Sequence, residues 1–166
     1  MSRQLVDNII DQTKIMLFNM KITIHTCKMN DVVGEVPIWK RLYYTLHSLD
    51  QWFINPQEYV EPPFHETDLN SFDVPSKRVL TREELAIYYE GLQLKILQYL
   101  NQLTDDMLAE RPEDCQFTRL ALILGQYRHL MYHIGIINAS TVMETGKQPK
   151  IIGMSADFPD EDHYYE

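Results

Sequence analysis

The chain carries six histidines, His25, His47, His65, His129, His133 and His163. Two of them are spaced for shared chemistry in Gln126-Tyr127-Arg128-His129-Leu130-Met131-Tyr132-His133-Ile134-Gly135. This stretch lies inside an apolar run without proline, Phe117 to Val142, which is too long for one strand and reads as helix. On a helix, His129 and His133 stack one turn apart on one face. Two imidazoles placed that way can grip one metal ion. The same face carries Leu122, Gly125, Ile136 and Ser140, so the pair points toward a largely apolar interior. Unpartnered imidazoles are costly there. A shared metal removes the cost, and so do hydrogen bonds to other core groups; spacing alone leaves both open.

A metal needs a third ligand. His47 is the first candidate, because it stands on a different element with Asp50 one turn on, and a ligating imidazole gives its second N–H to such a partner. Its position on a mixed face, beside Tyr43, Asp50, Gln51 and Ile54, also suits a half-exposed surface histidine. His65 is the alternative third ligand. His25 and His163 read as solvated. The residue after His129 is Leu130, so the His-Glu-x-x-His motif with its built-in base is absent. Cys27 and Cys115 make neither a zinc pattern nor a disulfide framework. No phosphate-binding glycine loop or Gly-x-Ser-x-Gly elbow occurs.

Four amphipathic segments must position these residues. The first spans about residues 2–29, with Leu5, Ile9, Thr13, Met16, Leu17, Met20, Ile24 and Cys27 as its stripe. The second begins with Pro37 in its first turn and stops near Asn55-Pro56; its stripe is Ile38, Leu42, Leu46, Leu49 and Phe53. Residues 55–80 hold four prolines and keep no period, so they read as a long connection packed over the helices. Thr81-Arg82-Glu83-Glu84 is a capping box opening a third helix to about Leu103. A fourth runs from Gln116–Thr118 to about Glu144, with Gly146 as terminator. Strand signal is almost absent, so the fold class is all-α, a four-helix bundle over residues 1–146. Residues 147–166 form an acidic tail, docked or frayed.

The 166 residues carry a net charge of −9, with 45% apolar and 23% charged residues. That balance suits one soluble domain and argues against a broad nucleic-acid footprint. Neither a secretory leader nor a membrane span is visible, so cytoplasm is the expected location, without nucleic-acid or membrane partners.

A histidine within Leu46-His47-Ser48-Leu49-Asp50-Gln51-Trp52, followed far downstream by His129-x-x-x-His133-x-Gly135, resembles the DinB-like (damage-inducible) family of metalloenzymes. The resemblance covers roughly residues 1–145. It implies a four-helix bundle with a long connection between helices 2 and 3, and a metal held by His47, His129 and His133. It also implies homodimers and thiol-dependent S-transferase or isomerase chemistry with a low-molecular-weight thiol. The chain departs from the family at Ile136-Ile137, where Gln-Leu is frequent.

Three imidazoles leave a divalent ion with an open position that can activate a thiol or a water. Zinc or nickel is the expected ion, with iron and copper compatible by ligand type. The first functional expectation is therefore a metal-dependent transferase joining a small thiol to a small electrophile; a metal-dependent hydrolase is a variant. Tyr43, Asp50, Gln126 and Tyr132 are near enough in helical projection to support the ligands. The competing expectation is a non-catalytic helical binding protein in which the metal is structural or absent.

Overall fold

The computed structural model describes residues 2–154 and 157–166; Met1, Ser155 and Ala156, which belong to the expected bundle and tail, lie outside the described residues. Four helices dominate: α1 (Gln4–Thr26), α2 (Ile38–Trp52), α3 (Arg82–Gln102) and α4 (Arg119–Thr145). Their apolar stripes meet in one core that includes Leu17, Met20, Leu42, Leu46, Phe53, Leu92, Ile96, Leu130 and Ile134. Side-chain contacts fix the helix directions. Tyr89 donates to the Leu17 carbonyl while Arg82 reaches the Ile24 and Cys27 carbonyls, so α1 and α3 are antiparallel. Tyr127 meets Thr13 and Thr23 meets Asn138, so α1 and α4 are parallel. On α2 and α3, Tyr43 faces Tyr88 and Phe53 faces Tyr99, which makes them parallel as well.

That last relation explains the long connection. Parallel neighbours require the chain to return across the full length of α2, about 22 Å for its 15 residues. Residues 53–81 make that journey, and they pack as they go. Leu69 and Leu80 are fully buried, and the Asn55 side chain turns the chain by accepting from the Gln57 N–H at 3.1 Å. The connection therefore covers one side of α2.

The ends follow local chemistry. At α3, the Thr81 hydroxyl accepts from the Glu84 N–H while the Glu84 carboxylate accepts from the Thr81 N–H, the reciprocal cap expected from the sequence. Thr118 caps α4, and Gly146 ends it at φ 69°, a left-handed conformation that glycine adopts freely. Pro37 differs from expectation: it precedes α2 and closes a small hairpin, β1 (Val32–Val33) with β2 (Val36–Pro37). Gly34 and Glu35 both have positive φ, 59° and 66°. Two left-handed residues in a row match the hairpin turn whose twist suits the flanking strands. Strands of two residues are too short for alternation to register in a sequence.

The tail is docked on α1. Asn19 donates to the Ile152 carbonyl at 3.2 Å and accepts from its N–H at 2.7 Å. Phe158 stacks on Phe18 with centroids 4.4 Å apart, and buried Tyr164 packs against Ile22. Among the described residues, no helix is long and apolar enough to cross a membrane.

A candidate metal centre and a second imidazole cluster

His47 lies in the third turn of α2. It is only 3% exposed, because the returning connection closes over the mixed face that the sequence left open. The connection brings its own donors. His47 Nε2 lies 2.7 Å from Glu61 Oε2, and the His65 ring stacks on the His47 ring with centroids 4.9 Å apart. One ligand atom from each of His47, Glu61 and His65 lies within 4.8 Å of the others.

Each member has a further hydrogen-bond partner. Tyr43 and His65 Nδ1 share a hydrogen bond of 2.6 Å. Tyr59 donates its hydroxyl to Glu61 Oε2 at 3.0 Å. The Asn70 amide sits 3.4 Å from His47 Nδ1. That amide can donate to Nδ1 or, rotated, accept from it, so it supports either tautomer of the ring. Tyr59, Phe64 and Tyr88 continue an aromatic wall around the cluster.

The electrostatics favour an anionic carboxylate at Glu61. Burial alone would raise the Glu61 carboxyl, but hydrogen bonds from His47 and Tyr59 and the neighbouring imidazoles outweigh it and hold the group below its ordinary value. Burial lowers His65 despite the opposing pull of Glu61. Two nitrogens and one carboxylate oxygen form a donor set that zinc and iron accept, with coordination positions left over. Glu61 is about half exposed, so one side of the set opens to solvent.

Asp50 does not serve as the partner of His47. It accepts from Tyr88 at 2.9 Å and from Lys95 at 2.5 Å, joining α2 to α3. The carboxylate that meets the His47 ring is Glu61, and the ring's other nitrogen faces Asn70. The signal of Glu61 in the sequence was faint: a carboxylate four residues before His65 inside an irregular segment.

His129 and His133 do come together, with ring centroids 4.6 Å apart. They face Tyr44, whose ring centre lies 5.5 Å from His129 and 5.4 Å from His133. Helices α2 and α4 run antiparallel here, pairing Arg41 with His133, Tyr44 with His129 and Ser48 with Gln126. His47, three residues after Tyr44, is turned about 60° away from that ladder and toward the connection. Among the described residues, the one gathering of histidine, cysteine and carboxylate ligands within reach of a shared ion is His47, Glu61 and His65; His47, His129 and His133 do not form such a group.

The second cluster differs in its charge. His133 is buried and Arg41 Nη1 stands 3.5 Å from its Nδ1. Burial, then His129 and the guanidinium, push His133 down to about 4. Burial lowers His129 too, and its Nδ1 is buried without a hydrogen-bond partner. Of the remaining groups singled out from the sequence, Tyr132 is exposed and edges onto His133, while His25 approaches Glu161 at 3.9 Å. Both cysteines are free and buried, and burial pushes the Cys27 thiol up to about 11. No protein-family model, curated protein or solved structure matches the chain.

Proposed function

We infer that this is a helical metal-binding protein whose divalent ion is held by His47, Glu61 and His65. One observation carries the reading: ligand atoms from α2 and from the connection after it converge within 4.8 Å. The hydrogen bonds from Tyr59 to Glu61 and between Asn70 and the far nitrogen of His47 are of the kind that orient metal ligands. The finer reading is enzymatic. A bound ion there would supply Lewis acidity, activating a thiol or water toward a small electrophile beside the aromatic wall. Zinc is the first choice for this donor set, with iron next and nickel or copper compatible. Membership of the DinB-like bundles, a homodimer and thiol-dependent transfer belong to this same proposal.

The test is metal content of purified protein beside His47→Ala, Glu61→Gln, His65→Ala and His129→Ala. One equivalent in the wild type, lost in the first three and kept in His129→Ala, is the expected pattern. Loss in His129→Ala with retention in Glu61→Gln would move the ion to the histidines of the resemblance. For the enzymatic reading, fully loaded protein must turn over a model electrophile when a low-molecular-weight thiol or water is the acceptor; inert loaded protein sinks it.

A second reading has its own support. The His47–Glu61 and Tyr43–His65 hydrogen bonds already satisfy the cluster, as a purely structural pin between α2 and the connection would require. In that case chelation leaves the melting temperature unchanged.

A further inference from the structure

Arg41 is an unexpected residue in the interior. It is 8% exposed, yet among the described residues it forms no ion pair with a carboxylate. Its Nη2 donates to the Val33 carbonyl at 3.1 Å, its plane lies over Phe72 at 5.0 Å, and Nη1 has only the long approach to His133. Its Nε is buried with no partner. A guanidinium cannot shed its charge to relieve burial. The usual remedy is an anion, since a buried charge is tolerated when it is paired and hydrogen-bonded.

The surroundings sharpen this. His129 Nδ1, in the same cluster, is a second buried nitrogen without a partner among the described residues. The junction therefore offers guanidinium donors from Arg41, with His129 Nδ1 free to donate in one of its two tautomers, and among the described residues it brings no carboxylate to the guanidinium. Opposite charge complements that arrangement; a divalent cation beside an unpaired guanidinium does not. Tyr44 and His129 are half-buried and Tyr132 is exposed, so one edge of the cluster reaches solvent.

We propose that the junction of α2 and α4 at Arg41, Tyr44, His129 and His133 binds a small oxyanion, such as the carboxylate of a metabolite or inorganic phosphate. Guanidinium recognises both groups through charge-assisted hydrogen bonds. This site is separate from the His47–Glu61–His65 cluster and does not depend on an ion being bound there.

The experiment uses full-length protein stripped of metal by chelation. Arg41 Nε–Hε and the His129 and His133 ring signals are followed by NMR while acetate or inorganic phosphate is added, with chloride at equal ionic strength as control. A saturable shift with either oxyanion, absent with chloride, supports the site, and the effective anion identifies the ligand's acidic group. Arg41→Gln should weaken binding about tenfold or more, the loss expected for one hydrogen bond to a charged group. If Arg41→Gln does not fold, the wild-type shifts and His129→Gln, which should also weaken binding, still decide. The shift must persist in His47→Ala, so failure of the metal reading leaves this proposal standing. It is overturned if neither anion moves the Arg41 signal beyond chloride, or if the shift vanishes in His47→Ala. It is also overturned if added zinc moves both histidine rings while the anions do not.

Discussion

Two imidazole clusters sit on neighbouring faces of α2, and they differ in one ingredient. The His47 cluster includes a carboxylate, Glu61, half exposed and hydrogen-bonded by Tyr59. The His129–His133 cluster includes a guanidinium, Arg41, buried and, among the described residues, without a counter-charge. Imidazoles are neutral or cationic, so they do not decide what a site binds; the fixed charge beside them does. With a carboxylate they complement a cation, and with a guanidinium they complement an anion. Histidine spacing, which first draws attention in this chain, is thus the weaker guide.

The comparison can be broken most directly by reversing the ingredient. Tyr44 is the group that touches both His129 and His133. The double change Tyr44→His with Arg41→Gln would give three imidazoles and no guanidinium at that junction. We expect it to bind a second equivalent of zinc, measured by calorimetry and elemental analysis. Each change alone should fall short, since one leaves the opposing charge and the other leaves two ligands. A double variant that folds yet takes no second ion would show that access, not charge, separates the clusters.

The next effect is on stability against pH. His133 is held near 4 in the folded protein, while the unfolded chain titrates near its ordinary 6.5. The folded state therefore binds fewer protons within that window, so stability is full above about 6.5 and falls as the pH drops toward 4. At about 1.4 kcal/mol for each pKa unit, the loss is roughly 3 kcal/mol, and His129, also lowered by burial, adds in the same direction. Denaturant midpoints across pH 7 to 4 should trace this limb, and His133→Leu should flatten it. Superimposable limbs in wild type and variant would remove His133 as its cause.

How far the sequence foretold these clusters depends on which residues carried them. The four helices were readable because stripes such as Leu42, Leu46, Leu49 and Phe53 repeat at helical period, and Thr81, Glu84 and Gly146 mark ends by local hydrogen bonding. The approach of His129 to His133 followed from the same period. The rotation of His47 away from them did not. It is set by the angle at which α2 meets α4, a tertiary quantity that no local pattern encodes. Glu61 and His65 were harder still. They lie where four prolines erase periodicity, and their positions come from Leu69 and Leu80 anchoring the connection in the core. Arg41 escaped notice because arginine is ordinarily a surface residue, and its burial depends on Phe72 and the hairpin carbonyl of Val33 closing around it.

The smallest effect tests whether Glu61 is a ligand or only a hydrogen-bond acceptor. Tyr59 donates to the same Oε2 that meets His47. Removing the hydroxyl with Tyr59→Phe leaves the aromatic wall in place and takes away one bond that helps keep the carboxylate charged and oriented. Outer partners of metal ligands are worth 10- to 100-fold in affinity, and the partial exposure of Glu61 places the expected loss near the lower end, about tenfold. Competition with a chromophoric chelator would measure it. An affinity unchanged in Tyr59→Phe but reduced in His65→Ala would leave the imidazoles as ligands and remove Glu61 from the set. The charge that distinguishes the two clusters would then no longer act on the ion directly.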